Sequence, residues 1–224
     1  MKKTLVIAHR GFHRDFPENT VEAFRAAMDI GADGVEFDVQ ETADGQFVIH
    51  HDDDIGGHGI GNLSLEEIAV CWVGGGYRIP TLLQALEVLG MGLVLLVELK
   101  RVRSLEKFLA LLRCQVDSSF TVLVSFDATL IEKLALLAPD FPRAVIGESA
   151  STVHTAAAAK TAGFTQVPAG MVTGDLVKEA HDRGDLVFVR DEGEEEALRR
   201  ALRCGIDVVM TDRPDVAIRE IRGL

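Results

Sequence analysis

Two carboxylates stand two residues apart inside an apolar run, Gly34-Val35-Glu36-Phe37-Asp38-Val39. A second run, Leu93-Val94-Leu95-Leu96-Val97-Glu98-Leu99-Lys100, repeats the arrangement with Glu98 and Lys100. Both runs have the composition of buried strands, and side chains on a strand alternate between its faces. Glu36 and Asp38 therefore share one face, opposite Val35, Phe37 and Val39. Burying an unpaired carboxylate is costly, so three acids on two buried strands need a counter-charge. Two like charges ~4 Å apart repel by about 4 kcal/mol at an effective dielectric of about 20, enough to raise their pKa values. A divalent cation removes the conflict. Oxygen-only ligands favour a hard ion, Mg²⁺ or Ca²⁺, over zinc, which makes Glu36, Asp38 and Glu98 the expected metal ligands. The alternative is that the three acids pair with Lys and Arg inside the fold, where only Arg10 and Lys100 are placed to help.

With those two cations counted, the three acids and a doubly charged ion leave one positive charge in excess, which a phosphodiester balances. Lys100 reads as a clamp on a phosphate oxygen, or else as a solvated strand end. His9 lies on the strand face of Leu5 and Ile7 and adjoins Arg10-Gly11; it reads as catalytic, with a packed core histidine as the alternative. His50 and His51 point to opposite faces if their strand continues, and parity with Phe47 and Ile49 favours His51 only weakly. An imidazole with an ordinary pKa of about 6.5 serves as acid or base near neutral pH. His13, His58, His154 and His181 read as surface or loop residues outside the site.

These groups converge only if the elements that carry them place their ends together. Short β-branched runs alternate with longer amphipathic stretches, the pattern of βα units on a parallel sheet. Strands are expected at 5–8, 35–39, 93–99, 121–124, 143–146, 164–167, 186–189 and 207–210. Helices are expected at 21–30, 81–89, 105–116, 128–138, 151–162, 175–183, 194–203 and 214–221, the first capped by Asn19 or Thr20. Asp44-Gly45 reads as the turn of a hairpin returning through Phe47-Val48-Ile49. Eight strands in 224 residues, against about 250 for the typical case, give a (β/α)8 TIM barrel. A glycine-rich insertion follows the second strand, at about 52–80, around a short helix at 65–70. The runner-up, an open doubly wound sheet, lacks a glycine-rich phosphate turn after the first strand: His9-Arg10-Gly11-Phe12-His13 is no GxGxxG. Barrel active sites lie at the C-terminal strand ends, where every unusual polar residue above falls.

The chain is expected to be a single domain over 1–224. Its net charge of −12 argues against a broad nucleic-acid binder and means that local cations must draw in an anionic substrate. The apolar part of the N-terminal stretch, Leu5–Ala8, is too short for a signal peptide, and no run is long enough for a membrane span. A small-molecule substrate is expected, without nucleic acid or a stable membrane anchor. Cys71, Cys114 and Cys204 are odd in number and far apart, which suits a reduced cytoplasmic setting. Nothing in the sequence points to an oligomeric state.

The stretch His9-Arg10-Gly11, Pro17-Glu18-Asn19-Thr20, Ala23-Phe24, Gly31–Val39, Thr42-Ala43-Asp44-Gly45 and His51-Asp52 strongly resembles the glycerophosphodiester phosphodiesterases. The likeness continues through Ile79-Pro80-Thr81-Leu82, Val97–Lys100, Ser125-Phe126-Asp127, Gly205-Ile206-Asp207 and Thr211-Asp212-Arg213-Pro214. The resemblance implies a barrel of this type and metal-dependent cleavage of glycerophosphodiesters to glycerol 3-phosphate and an alcohol. It selects His51 over His50, because the family's second histidine is followed directly by Asp. It further implies that His9 and His51 are the acid–base pair, that Glu36, Asp38 and Glu98 hold the metal, and that Arg10 and Lys100 contact the phosphate. Two departures bear on substrate preference. Ile55-Gly56-Gly57-His58-Gly59 stands where the family usually has Arg-Thr-Thr, and Val187-Phe188-Val189-Arg190 where it commonly has Trp-Thr-Val-Asn. Alternatives are a lysophospholipase D, a cyclising lyase of the same superfamily and a non-catalytic phosphodiester-binding protein.

Overall fold

The Leu5–Ala8 strand pairs in parallel with Gly34–Glu41 on one side and with Val208–Thr211 on the other. A first strand joined to the last gives the cyclic order of a barrel; in an open doubly wound sheet it would not neighbour the last. The structure, a computed structural model, describes residues 4–146, 151–153, 164–191 and 193–223. From Leu5–Ala8 the parallel ladder runs through Gly34–Glu41, Val94–Arg101 and Thr121–Ser125 to Arg143–Val145. In the other direction it runs through Val208–Thr211 and Leu186–Arg190 to Phe164–Pro168. Eight parallel strands with intervening helices make a (β/α)8-type barrel. Among the described residues no ladder joins Arg143–Val145 to Phe164–Pro168.

Strand alternation sorts the side chains into two cores. Val35, Phe37 and Val39 pack outward with Val97, Leu99 and the helices, including Phe24 and Phe108. Inside the barrel Ile7, Leu96, Val208 and Met210 form a separate apolar floor with Leu5, Val94, Val122 and Phe188. Glu36, Asp38 and Glu98 occupy the next inward positions toward the C-terminal ends of their strands. The floor thus shields the acids from below.

The hairpin forms as expected: Val39 faces Ile49, Gln40 faces Val48 and Glu41 faces Phe47. The insertion that follows carries two short antiparallel ladders and the Leu65–Ala69 helix, which starts with a reciprocal Ser64–Glu67 cap. Val48, Ile60, Ile68 and Ile79 give it a small core of its own. Arg101 Nε donates to Asp53 at 2.9 Å, tying the insertion to a barrel strand end. Cys71, Cys114 and Cys204 are free. Among the described residues no helix is long and apolar enough to cross a membrane.

One expected element is corrected. The helix expected at 151–162 does not begin there: Ser151–Val153 is a strand, antiparallel to Phe164–Pro168. Two β-branched residues, Thr152 and Val153, gain a ladder there that they could not have in a helix. The rest of that expectation, 154–162, lies outside the described residues.

Gly34 shows how tightly the strands beneath the site approach. A Cβ there would sit 2.2 Å from the Val94 carbonyl oxygen and 2.7 Å from Ile7 Cδ1. Backbone cannot retreat as a side-chain tip can, so Gly34→Ala is expected to destabilise by about 3 kcal/mol or more, at the upper end for overpacking. Urea unfolding reads this directly, and an unchanged midpoint would contradict it.

Candidate active site

The loop after the first strand is held in an unusual backbone conformation. Arg10 and Asn19 have φ of 53° and 58°, in the left-handed region that a long side chain such as Arg rarely adopts. Gly11 follows at φ 83°, and a Cβ on it would meet the Ala23 backbone carbon at 2.8 Å. The loop is therefore pressed against the Val21–Asp29 helix, and Asn19 N–H donates to the Arg10 carbonyl at 2.9 Å. Strain of this kind, about 1–3 kcal/mol per residue, persists where the surrounding structure over-determines it, most often at sites of function. Thr20, rather than Asn19, caps the helix through its hydroxyl. That leaves the Asn19 side chain free for the acids.

Among the described residues, Glu36 and Asp38 are each held on one side and open on the other. Glu36 Oε2 accepts the Arg10 backbone N–H at 3.1 Å, while Oε1 is buried without a hydrogen-bond partner. Asp38 Oδ2 accepts from Asn19 Nδ2 at 2.8 Å and lies 3.3 Å from Arg10 Nε; Oδ1 has no hydrogen bond. Asn19 Oδ1 in turn accepts the Asp38 backbone N–H at 3.3 Å. Glu98 Oε1 is 3.2 Å from Lys100 Nζ, which lies 3.9 Å from Asp38 Oδ1. The three residues are 2%, 0% and 7% exposed, and one carboxylate oxygen from each lies within 4.8 Å of the others.

The alternative of self-sufficient ion pairs fails by count. Arg10 is shared between Asp38 and Glu18, whose Oε1 accepts from Nη1 at 2.8 Å. Lys100 serves Glu98 first. Glu36 has no Lys or Arg side chain within ion-pairing distance among the described residues, and two acid oxygens stay orphaned in the same place. An unpartnered buried carboxylate oxygen costs several kcal/mol unless a cation meets it, so the donor set fits a hard divalent ion.

Electrostatics agree. Burial pushes the Glu36 carboxyl well above its ordinary value, and the charges of Asp38 and Glu98 push it further. Burial and Asp38 raise Glu98, against the opposing pull of Lys100. Both groups then hold protons in the folded state that they release in the unfolded one above their ordinary value of 4.5. Their stabilising contribution is full below that value and is lost as pH rises through the folded pKa. Glu41 and Asp212, held below their ordinary 4.5 and 3.8, act beneath this window. Without metal, thermal stability is expected to fall as pH climbs from 4.5, less so in Glu36→Gln. Equal melting profiles for the two proteins would contradict the assignment.

His9 Nδ1 lies 2.7 Å from Asp212 Oδ1, and its Nε2 faces Glu36 Oε2 at 3.8 Å. The hairpin carries His51 to the same mouth, with Nδ1 2.9 Å from Asp52 Oδ1. Gln40 Nε2 braces that corner by donating to the carbonyls of His50 and Asp52 at 2.9 and 2.6 Å. A cavity of about 220 Å³ is lined by His9, Arg10, Glu36, His51, Glu98 and Lys100 above the apolar floor. Asp38, fully buried, lies against two of these lining residues, Arg10 and Lys100. His50 does not line the cavity; Arg190 does, and it makes no ion pair among the described residues.

Four residues of this arrangement escape a sequence reading. Asn19 reads there only as a possible cap. Gln40 continues the inward parity of Glu36 and Asp38, a signal that could have found it. Asp212 likewise continues the parity of Val208 and Met210 at the last strand end. His13, expected at the surface or in a loop, does lie in the loop after the first strand, but it is three-quarters buried with Nε2 3.1 Å from Asp212 Oδ1. Its partner is 199 residues away, so no local pattern shows it.

Known proteins share this fold and sequence pattern. Residues 9–216 match the Glycerophosphoryl diester phosphodiesterase family. A glycerophosphodiester phosphodiesterase of Caldanaerobacter subterraneus is 29% identical over 239 residues, covering 98% of each chain. The crystal structure of a glycerophosphodiester phosphodiesterase from Agrobacterium tumefaciens superposes with a TM-score of 0.79 at 26% identity, over 96% of this chain and 98% of that one. An Oleispira antarctica phosphodiesterase, solved with the product sn-glycerol-3-phosphate, shares the fold with a TM-score of 0.81 at 24% identity, over 98% of this chain and 97% of that one.

Proposed function

The chain belongs to the Glycerophosphoryl diester phosphodiesterase family, and from that premise we propose that it hydrolyses glycerophosphodiesters to glycerol 3-phosphate and an alcohol, using a divalent cation and His9 and His51. The observation that carries this reading is the set of orphaned acid oxygens on Glu36 and Asp38, gathered with Glu98 beside a cavity that both histidines line.

Glu36, Asp38 and Glu98 would hold one hard ion, Mg²⁺ or Ca²⁺, which when bound would supply Lewis-acid polarisation of a phosphoryl oxygen and lower the pKa of the attacking hydroxyl. Arg10 and Lys100 neutralise charge that grows on the phosphate oxygens. Their positions are set in advance, Arg10 by Glu18 and Asp38 and Lys100 by Glu98, so little reorganisation accompanies the reaction. One of His9 and His51 takes the proton of the attacking hydroxyl as the new P–O bond forms. The other gives a proton to the departing alkoxide as the old P–O bond breaks. The apolar floor excludes water from beneath and strengthens each of these interactions.

Incubation of glycerophosphocholine with the Mg²⁺-loaded protein, followed by product analysis, tests the reading. Glycerol 3-phosphate and choline are expected, faster than lysophosphatidylcholine is cleaved. A cyclic phosphate as end product would identify a lyase instead, and binding without turnover would overturn the enzymatic reading.

A further inference from the structure

Two polar residues linked to His9 have no part in the mechanism above. Asp212 follows the Val208–Thr211 strand. Its Oδ1 lies 2.7 Å from His9 Nδ1 and 3.1 Å from His13 Nε2, so two imidazoles share one oxygen. An ionised carboxylate can only accept, so both facing ring nitrogens carry the hydrogen. For a neutral His9 this leaves the lone pair on Nε2, the nitrogen turned toward Glu36 at 3.8 Å and hence toward the site. A general base needs its lone pair there; the other tautomer would present N–H to the nucleophile instead.

The carboxylate needs support of its own. Its side chain is 44% exposed, so packing alone does not fix its direction. His13 supplies a second hydrogen bond from a ring only 25% exposed. Burial works against an ionised Asp212, but the bonds from His13 and His9 overrule it and hold the carboxyl well below the usual range. The same contact with Asp212 raises the pKa of His13.

We propose that Asp212 and His13 are positioning residues for His9: Asp212 selects its tautomer and ring direction, and His13 pins the carboxylate in place. The inference rests on His9 being one of the acid–base pair. Asp212→Asn keeps the shape but loses the negative acceptor, and is expected to lower kcat by ~10–1000-fold with KM within about 3-fold. Asp212→Glu should recover part of that loss. His13→Ala should cost about 5–10-fold, and His13→Gln, which retains a donor, less.

Three readouts separate this from a merely structural bridge. Ring ¹⁵N NMR of His9 is expected to show the Nδ1–H tautomer in the native protein and a mixture in Asp212→Asn. In a His9→Ala background, Asp212→Asn is expected to cost nothing further, whereas a folding defect would still be felt. Thermal melts of each variant report folding directly. An unchanged His9 tautomer, or equal losses with and without His9, would overturn the proposal. If His9→Ala itself keeps normal turnover, the acid–base reading falls. If His9→Ala is inactive while Asp212→Asn is normal, only the positioning role falls.

Discussion

Replacing His9 or His51 by alanine is expected to lower kcat by ~10²–10⁴-fold while leaving the fold intact, the range a positioned acid or base contributes. Neither imidazole belongs to a hydrophobic core. His9 is bonded to Asp212 at the rim, and His51 stands on the hairpin with one ring nitrogen at Asp52. Their removal opens no cavity among apolar side chains, so circular dichroism and melting temperature should stay near native values. The two losses should also not multiply in a double variant, because both histidines serve one proton economy. Near-normal turnover in both single variants would remove the acid–base assignment.

Removal of divalent cations is expected to abolish turnover, and Mg²⁺ or Ca²⁺ to restore it. The physical ground is the mutual repulsion of three buried acids with no ion between them. Glu36, Asp38 and Glu98 face one another at 0% to 7% exposure, with burial and mutual repulsion raising Glu36 and Glu98. A bound ion stabilises the folded protein by mass action, about 2.7 kcal/mol at a hundredfold excess over its dissociation constant. Chelation should therefore lower the melting temperature as well as the rate. Full activity and unchanged melting in chelator would contradict a metal site.

Much of this was legible because strand alternation is a strong rule. Glu36 and Asp38 against Val35, Phe37 and Val39, and His9 in line with Leu5 and Ile7, follow from parity alone. Cyclic strand order needed the count of eight strands and the missing glycine-rich phosphate turn as well as the alternation of short and long elements. What escaped was of two kinds. The strand at Ser151–Val153 depends on a neighbour, Phe164–Pro168, that outweighs local helix preference. Asn19 and His13 act through partners 19 and 199 residues away, which single-sequence patterns do not encode; Asp212 stands in line with Val208 and Met210, but its pairing with His9, 203 residues away, does not show in the sequence. Asn19 is the instructive case: Thr20 takes the cap, and the left-handed backbone turns the neighbouring amide onto Asp38.

The most direct test is where a divalent ion sits. Crystals soaked in Mn²⁺, a hard-ion probe with an anomalous signal, should show one strong peak between Glu36 Oε1, Asp38 Oδ1 and the Glu98 carboxylate, absent in Glu36→Gln. No peak there at saturating Mn²⁺, or Lys100 and Arg10 filling that space with all three acids satisfied, would contradict the account.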